Sequence, residues 1–319
     1  MVTTVAPTAV IALGGNALAP AGEKSTIYDQ FRHARDSLGP IVDLANDGWN
    51  LCVVHGNGPQ VGDELVRNEI ARREASPLPL GVLVAATAGW IGYMVQQSIE
   101  NALRRAGSVR DVATIITQVQ VRADDPALTN PTKFIGQALS AERADELRRE
   151  GHEVKEDGRG NLRRVVGSPE PQAVHELQII KRLVEQGTLV IACGGGGVPI
   201  YDDPVKGWEG IDAVVDKDLA AAVLARDLGA TLLLIMTDVD AVYANWGTPQ
   251  QRPLRRLTAD EAAEMDRAGA FGEGSMAPKI RAAIDFARRT SGRAIITELS
   301  RGREAVLGRA GTTITAEKA

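Results

Sequence analysis

The chain has 319 residues, of which 44% are hydrophobic and 24% charged, with a formal net charge of −5. That balance belongs to an ordinary globular chain with a sizeable core and excludes disordered and fibrous classes. Mild acidity gives no electrostatic reason for a nucleic-acid partner. No stretch reaches the about 20 uninterrupted apolar residues of a membrane helix, so a cytoplasmic location is expected.

Short β-branched runs alternate with longer amphipathic stretches along the chain. The runs 10–13 (VIAL), 50–55 (NLCVVH), 112–121 (VATIITQVQV), 189–193 (LVIAC), 231–236 (TLLLIM) and 293–298 (RAIITE) read as strands. Helices are expected over 29–47, 60–75, 90–106, 172–187, 217–228, 258–268 and 277–290, the first divided or kinked at Gly39-Pro40. This alternation is that of βαβ units and a largely parallel sheet covered on both faces. Between about 122 and 170 the texture turns polar and charged, as a surface excursion or a small protruding subdomain would. No linker divides the chain into halves, so one domain with an insertion is expected over 1–319.

Three glycine-rich loops follow expected strands: Gly14-Gly15-Asn16, Gly56-Asn57-Gly58 and Gly194-Gly195-Gly196-Gly197. The carboxyl ends of parallel strands share one edge, so such loops can converge on one crevice. Glycine lets backbone N–H groups close on phosphoryl oxygens, although each loop alone is also explained as a tight turn. No GxxxxGK[ST], GxGxxG with a following acidic residue, GxSxG or HRD/DFG pair is present. Three lysines stand in Gly, Pro or Asp contexts: Lys133 in NPTKFIG, Lys217 between Asp216 and Asp218, and Lys279 in GSMAPK at a helix start. Cations so placed suit phosphoryl transfer, which needs positioning and charge neutralisation more than covalent chemistry. Cys52 and Cys193 lie in apolar runs and read as buried thiols, not nucleophiles. His55 adjoins a glycine loop without a paired metal-ligand spacing, and no residue is assigned to a metal.

Taken in order and spacing, IALGGNAL, VVHGNGPQVG, NPTKFIG, GRGNLRRVVGSPEP, IACGGGGVPI, VVDKDLAA, TDVDAVYAN, GSMAPKI and AGTTI resemble the carbamate kinase family over nearly the whole chain. The resemblance implies a three-layer αβα sandwich around a mainly parallel eight-stranded sheet, a homodimer, and reversible phosphoryl transfer between ATP and carbamate, giving ADP and carbamoyl phosphate, with Mg2+. By the same resemblance, Gly14, Gly15 and Asn16 with Gly56, Asn57 and Gly58 cradle the carbamoyl and phosphoryl groups. Lys133 reaches in from the protruding segment, Lys217 and Lys279 neutralise the phosphate oxygens, and Asp218 holds those two apart. Gly194, Gly195, Asp216, Asp238, Tyr243 and Met276 fall to the nucleotide side, with core packing an equal account of Tyr243 and Met276. The chain departs from the family at Ala88, where a glutamine is usual beside a loop expected to bound the substrate, and at Phe134, where proline is usual. These departures leave open another small acid as acceptor, and a non-catalytic nucleotide-binding module is the reading from a different class.

Overall fold

The computed structural model describes residues 6–15, 18, 26–158, 160–271 and 276–317. One sheet has eight strands: β1 (Thr8–Leu13), β2 (Asn50–His55), β3 (Val112–Thr114), β4 (Leu189–Ile191), β5 (Leu232–Thr237), β6 (Arg256–Thr258), β7 (Arg293–Glu298) and β8 (Thr312–Thr315). Their spatial order is β6-β8-β7-β5-β1-β2-β4-β3. Every neighbouring pair is parallel except β7 with β8, so β6 and β8 run against the other six.

The central strands are apolar on both faces because helices cover both, and their side chains divide with a period of two. Val10, Ala12, Cys52, Val54, Leu233 and Ile235 enter one core, against the helices Leu177–Glu185, Lys217–Asp227 and Met276–Arg289. Ala9, Ile11, Leu51, Val53, Leu232 and Leu234 enter the other, against Ile27–Ser37, Gly39–Asn46, Leu80–Arg105 and Gly302–Val306. The result is three layers, helix on sheet on helix. The expected division at Gly39-Pro40 is real, since Pro40 sits in the first turn of the second of two helices.

Two expectations need correction. The stretch 112–121 is not one strand: Val112–Thr114 belongs to the large sheet, while Gln118–Gln120 joins a separate four-stranded sheet. Thr117 makes the break. Its hydroxyl donates to the Ile115 carbonyl at 2.8 Å and accepts from Cys193 N–H at 3.0 Å, while its own carbonyl takes Val198 N–H at 2.9 Å. The helix expected from residue 90 begins at Leu80, because Leu80, Leu83, Val84, Thr87, Ala88 and Ile91 recur on one buried face. Ala88 is therefore a buried helix-interior residue and not part of a loop.

Within the span expected to protrude, Lys133–Leu139, Val154–Glu156 and Leu162–Val166 form a separate antiparallel sheet, with the third strand in its centre. The helix Ala141–Arg149 packs on it through Ala144 and Leu147, which meet Val154.

Candidate active site

Register brings the glycine loops together. Leu13 pairs with both His55 and Met236, so β1, β2 and β5 end at one level. Beyond that edge Gly14 N–H donates to the Met236 carbonyl at 3.0 Å and Gly56 N–H to the Leu13 carbonyl at 3.2 Å. A β-carbon on Gly56 would stand 3.2 Å from Gly15 N and 3.3 Å from Lys217 Cδ, so these two loops and the lysine stem touch. Asn16 lies outside the described residues. The helix Gly58–Ala71 starts from Asn57 with no side chain capping its first N–H groups. Uncapped amides at a helix start suit an anion.

The four-glycine run forms a buried turn behind this loop. Gly195, Gly196 and Gly197 have φ of +69°, +94° and +84°, conformations that a side chain strains. A β-carbon on Gly195 would fall 2.3 Å from Asn57 Nδ2, and one on Gly194 2.6 Å from His55 Nε2 and 3.1 Å from Ala88 Cβ. Close packing beneath the Gly56–Gly58 loop therefore accounts for glycine at both positions. Asn57 points into the protein, where its amide donates to Thr87 Oγ1 at 2.9 Å. His55 is fully buried with Nδ1 3.0 Å from the Gly56 carbonyl, which assigns the proton of the neutral ring to Nδ1. Burial lowers its pKa to about 4, against the opposing carbonyls of Gly56 and Ala88.

The charged centre lies at the start of the helix Lys217–Asp227. Asp216 caps it, accepting from the N–H groups of Asp218 at 2.9 Å and Leu219 at 3.4 Å. Its other oxygen accepts from Lys133, delivered by the small sheet. Asp218 sits between the remaining two lysines: Oδ1 accepts from Lys217 Nζ at 2.5 Å and Oδ2 from Lys279 Nζ at 3.2 Å. Three ammonium groups thus face two carboxylates that are both buried.

Burial opposes ionisation of Asp216, yet the ammonium groups of Lys133, Lys217 and Lys279 outweigh it and hold the carboxyl well below the usual range. Burial also works against the Lys133 charge, and Asp216 and Asp218 overcome it, leaving this lysine above its ordinary value. For Lys217 burial wins: helped by the like charge of Lys279 and resisted by Asp218, it leaves the pKa lowered. Such a cluster can grip and neutralise a transferred phosphoryl group. The cysteines offer no nucleophile, because burial raises Cys52 to about 12 and Cys193 well above its ordinary value.

The remaining sequence candidates sit further out. Asp238 follows the carboxyl end of β5 and is exposed. Tyr243 donates its hydroxyl to Asp240 at 2.6 Å and meets Trp246 edge-on, and Met276 opens the helix that carries Lys279 while packing against the core. Sequence reasoning passed over Thr87 as an anchor for Asn57. A hydroxyl inside an otherwise apolar helical stripe was the available signal.

The sequence pattern of the amino acid kinase family matches residues 7–298. The chain is 48% identical over 309 residues to a carbamate kinase of Halobacterium salinarum, covering 96% of this chain and 97% of that one. It is 44% identical over 309 residues to a carbamate kinase of Escherichia coli K12, covering 97% and 99%. Among solved structures, carbamate kinase from Giardia lamblia bound to citric acid superposes with a TM-score of 0.92 at 36% identity, covering 97% of this chain and 98% of that one. The same enzyme bound to AMP-PNP gives 0.89 at 37% identity, with the same coverage.

Proposed function

The chain belongs to the amino acid kinase family and, within it, to the carbamate kinases, and from that premise we propose how its own residues carry the reaction. It is an ATP-dependent phosphotransferase joining ATP and carbamate to ADP and carbamoyl phosphate. Toward carbamoyl phosphate, a carbamate oxygen attacks the γ-phosphorus and the bond to the β-phosphate oxygen breaks, so that ADP leaves with the electron pair. In reverse, a β-phosphate oxygen of ADP attacks the phosphorus of carbamoyl phosphate and carbamate leaves. The phosphoryl group passes directly between substrates, so no protein nucleophile is required. The catabolic direction is toward ATP, because carbamoyl phosphate is a mixed anhydride that transfers its phosphoryl group downhill.

In this reading the loops Gly14-Gly15-Asn16 and Gly56-Asn57-Gly58 cradle the carbamoyl and phosphoryl groups, with the N–H groups of Gly14 and Gly56 shaping the loops through the Met236 and Leu13 carbonyls and the uncapped helix start at Gly58 facing the anion. Lys217 and Lys279 neutralise charge that spreads over the phosphoryl oxygens in the transition state, with Asp218 fixing the spacing between them. Lys133 adds a third cation, held by Asp216. Asp238, Tyr243 and Met276 bound the nucleotide side, while Gly194 and Gly195 support the Gly56–Gly58 loop from behind. Among the described residues no three metal-ligating side chains converge. A magnesium ion accompanying the nucleotide would supply further neutralisation of the phosphoryl oxygens. Gly89 and the exposed Val82, Ala86 and Tyr93, spaced along one face of Leu80–Arg105, support a homodimer contact. No helix among the described residues is long and apolar enough to cross a membrane, and a cytoplasmic setting belongs to the same proposal.

The observation that carries the reading is Asp218 bridging Lys217 and Lys279 beside the Gly15 and Gly56 loops. A coupled assay of ATP formation from ADP tests it, comparing carbamoyl phosphate with acetyl phosphate and other acyl phosphates. Carbamoyl phosphate is expected to give the highest kcat/KM, and a better donor among the others removes carbamate as the acceptor.

A further inference from the structure

Lys133 differs from the other two lysines in where it is mounted. Lys217 and Lys279 ride on helices packed against the large sheet, whereas Lys133 opens the first strand of the small sheet. Its place at Asp216 therefore depends on how that small sheet is seated. The seat is the helix Gly58–Ala71, and the contact is backbone on backbone. A β-carbon on Gly62 would stand 2.0 Å from Gly136 Cα and 2.5 Å from Gly136 N. Gly136 has φ of +68°, and a β-carbon there would lie 3.4 Å from Gly62 Cα. Gly62 therefore tolerates no side chain without moving the two elements apart, whereas at Gly136 the clearance is an ordinary contact and the left-handed backbone is what favours glycine.

Two features tie this contact to the reacting centre. Gly136 lies three residues beyond Lys133 on the same strand, about 10 Å along an extended chain. Gly62 lies one turn beyond the Gly56–Gly58 loop on the helix that this loop begins. Seating one glycine on the other thus sets Lys133 in register with the loop. Ile135 enters the cluster formed by Val61, Leu65, Leu83 and Val84 alongside, while Arg164 of the central strand, opposite Ile135, and Arg143 of the helix Ala141–Arg149 fasten the small sheet to Glu69 of the same helix.

We propose that Gly62 and Gly136 are positioning residues for phosphoryl transfer: their side-chain-free contact fixes how far Lys133 reaches toward Asp216 and the transferred group. This rests on the reading of Lys133 as a phosphoryl-facing cation. A methyl group at 62 must push the strand out by about 1 to 2 Å to reach an ordinary contact distance, and a misplacement of about 1 Å can cost roughly a hundredfold in rate.

The test is a double-mutant cycle of Gly62→Ala with Lys133→Ala, reading kcat, KM for ADP and far-UV circular dichroism. Gly62→Ala is expected to lower kcat about 30- to 100-fold, with KM for ADP within about threefold of wild type and an unchanged spectrum. In the Lys133→Ala background the same substitution is expected to cost less than about threefold, because the group it displaces is gone. A full penalty in both backgrounds, with kcat strongly reduced by Lys133→Ala alone, overturns the positioning role and leaves the lysine in place. A normal kcat in Lys133→Ala overturns both statements. If Gly62→Ala does not fold, Arg143→Gln with Arg164→Gln loosens the same sheet from Glu69 of the helix. A smaller loss of kcat that disappears in Lys133→Ala then supports the proposal, and a loss that persists there overturns it.

Discussion

Replacing Asp218 by asparagine keeps the shape of the side chain and removes the charge on which two lysines converge. With the lysine nitrogens at 2.5 Å and 3.2 Å, the gross attractions come to about 7 and about 5 kcal/mol at an effective dielectric near 20. Desolvation of the three groups and repulsion between the lysines offset most of this. Removing one member of such a buried set costs about 3 to 5 kcal/mol, since uncompensated charge stays behind. Lys217 is where the strain falls. Burial and Lys279 already disfavour its charged form and Asp218 favours it, so the asparagine variant loses the Lys217 proton at a lower pH. The alkaline limb of kcat therefore moves to lower pH, and kcat at neutral pH falls about 10²- to 10³-fold as the two cations lose their spacing. The coupled ATP-forming assay run from pH 6 to 10, beside a urea titration of each protein, reads both effects. An Asp218→Asn enzyme with wild-type kcat and an unmoved alkaline limb refutes the bridging role.

Three further outcomes are expected. Lys217→Ala or Lys279→Ala should lower kcat about 10³-fold or more while the urea midpoint still reports a cooperative fold, and near-normal turnover in either removes the charge clamp. His55 has a folded pKa of about 4 against an ordinary 6.5, so its contribution to stability is complete above pH 6.5 and is lost as pH falls toward 4. That loss is about 3 kcal/mol, and urea midpoints of wild type and His55→Gln at pH 7 and 4.5 should show a smaller decline in the variant; equal declines refute the assignment. Cys52 and Cys193, both held in the thiol form by burial, should resist iodoacetamide at pH 8 in the native enzyme and react when it is unfolded in urea. Rapid labelling of the native protein contradicts that picture.

The sequence disclosed what is decided locally. The β-branched runs around Ile11, Val53 and Ile295 are strands because helices cover both faces, and a continuous apolar run declares that without reference to any neighbour. Glycines at the ends of such runs announced the loops at Gly14 and Gly56, and the DKD string announced a lysine among carboxylates, although the structure pairs Lys217 with Asp218 and gives Asp216 to Lys133. The break at Thr117 was not legible, since an apolar β-branched run looks the same whether it stays in one sheet or crosses to another. The start of the long helix at Leu80 was obscured by valines and leucines that fit either period. The four-glycine run reads as a ligand loop in sequence, whereas the space it leaves is filled by Asn57, His55 and Val215.

Sequence by itself determined the inventory: a mainly parallel α/β chain with glycine loops on one edge, three unusual lysines, and a resemblance that the 48% identical relative bears out. Only the tertiary structure decided how these parts divide their work. Asp216 and Asp218 are two residues apart in the chain, yet one takes Lys133 from the small sheet and the other joins Lys217 to Lys279. Pairings between residues 61 or 83 positions apart leave no trace in local spacing. They arise from the register of β1, β2 and β5 and from one glycine-on-glycine contact, and both exist only once the layers have packed.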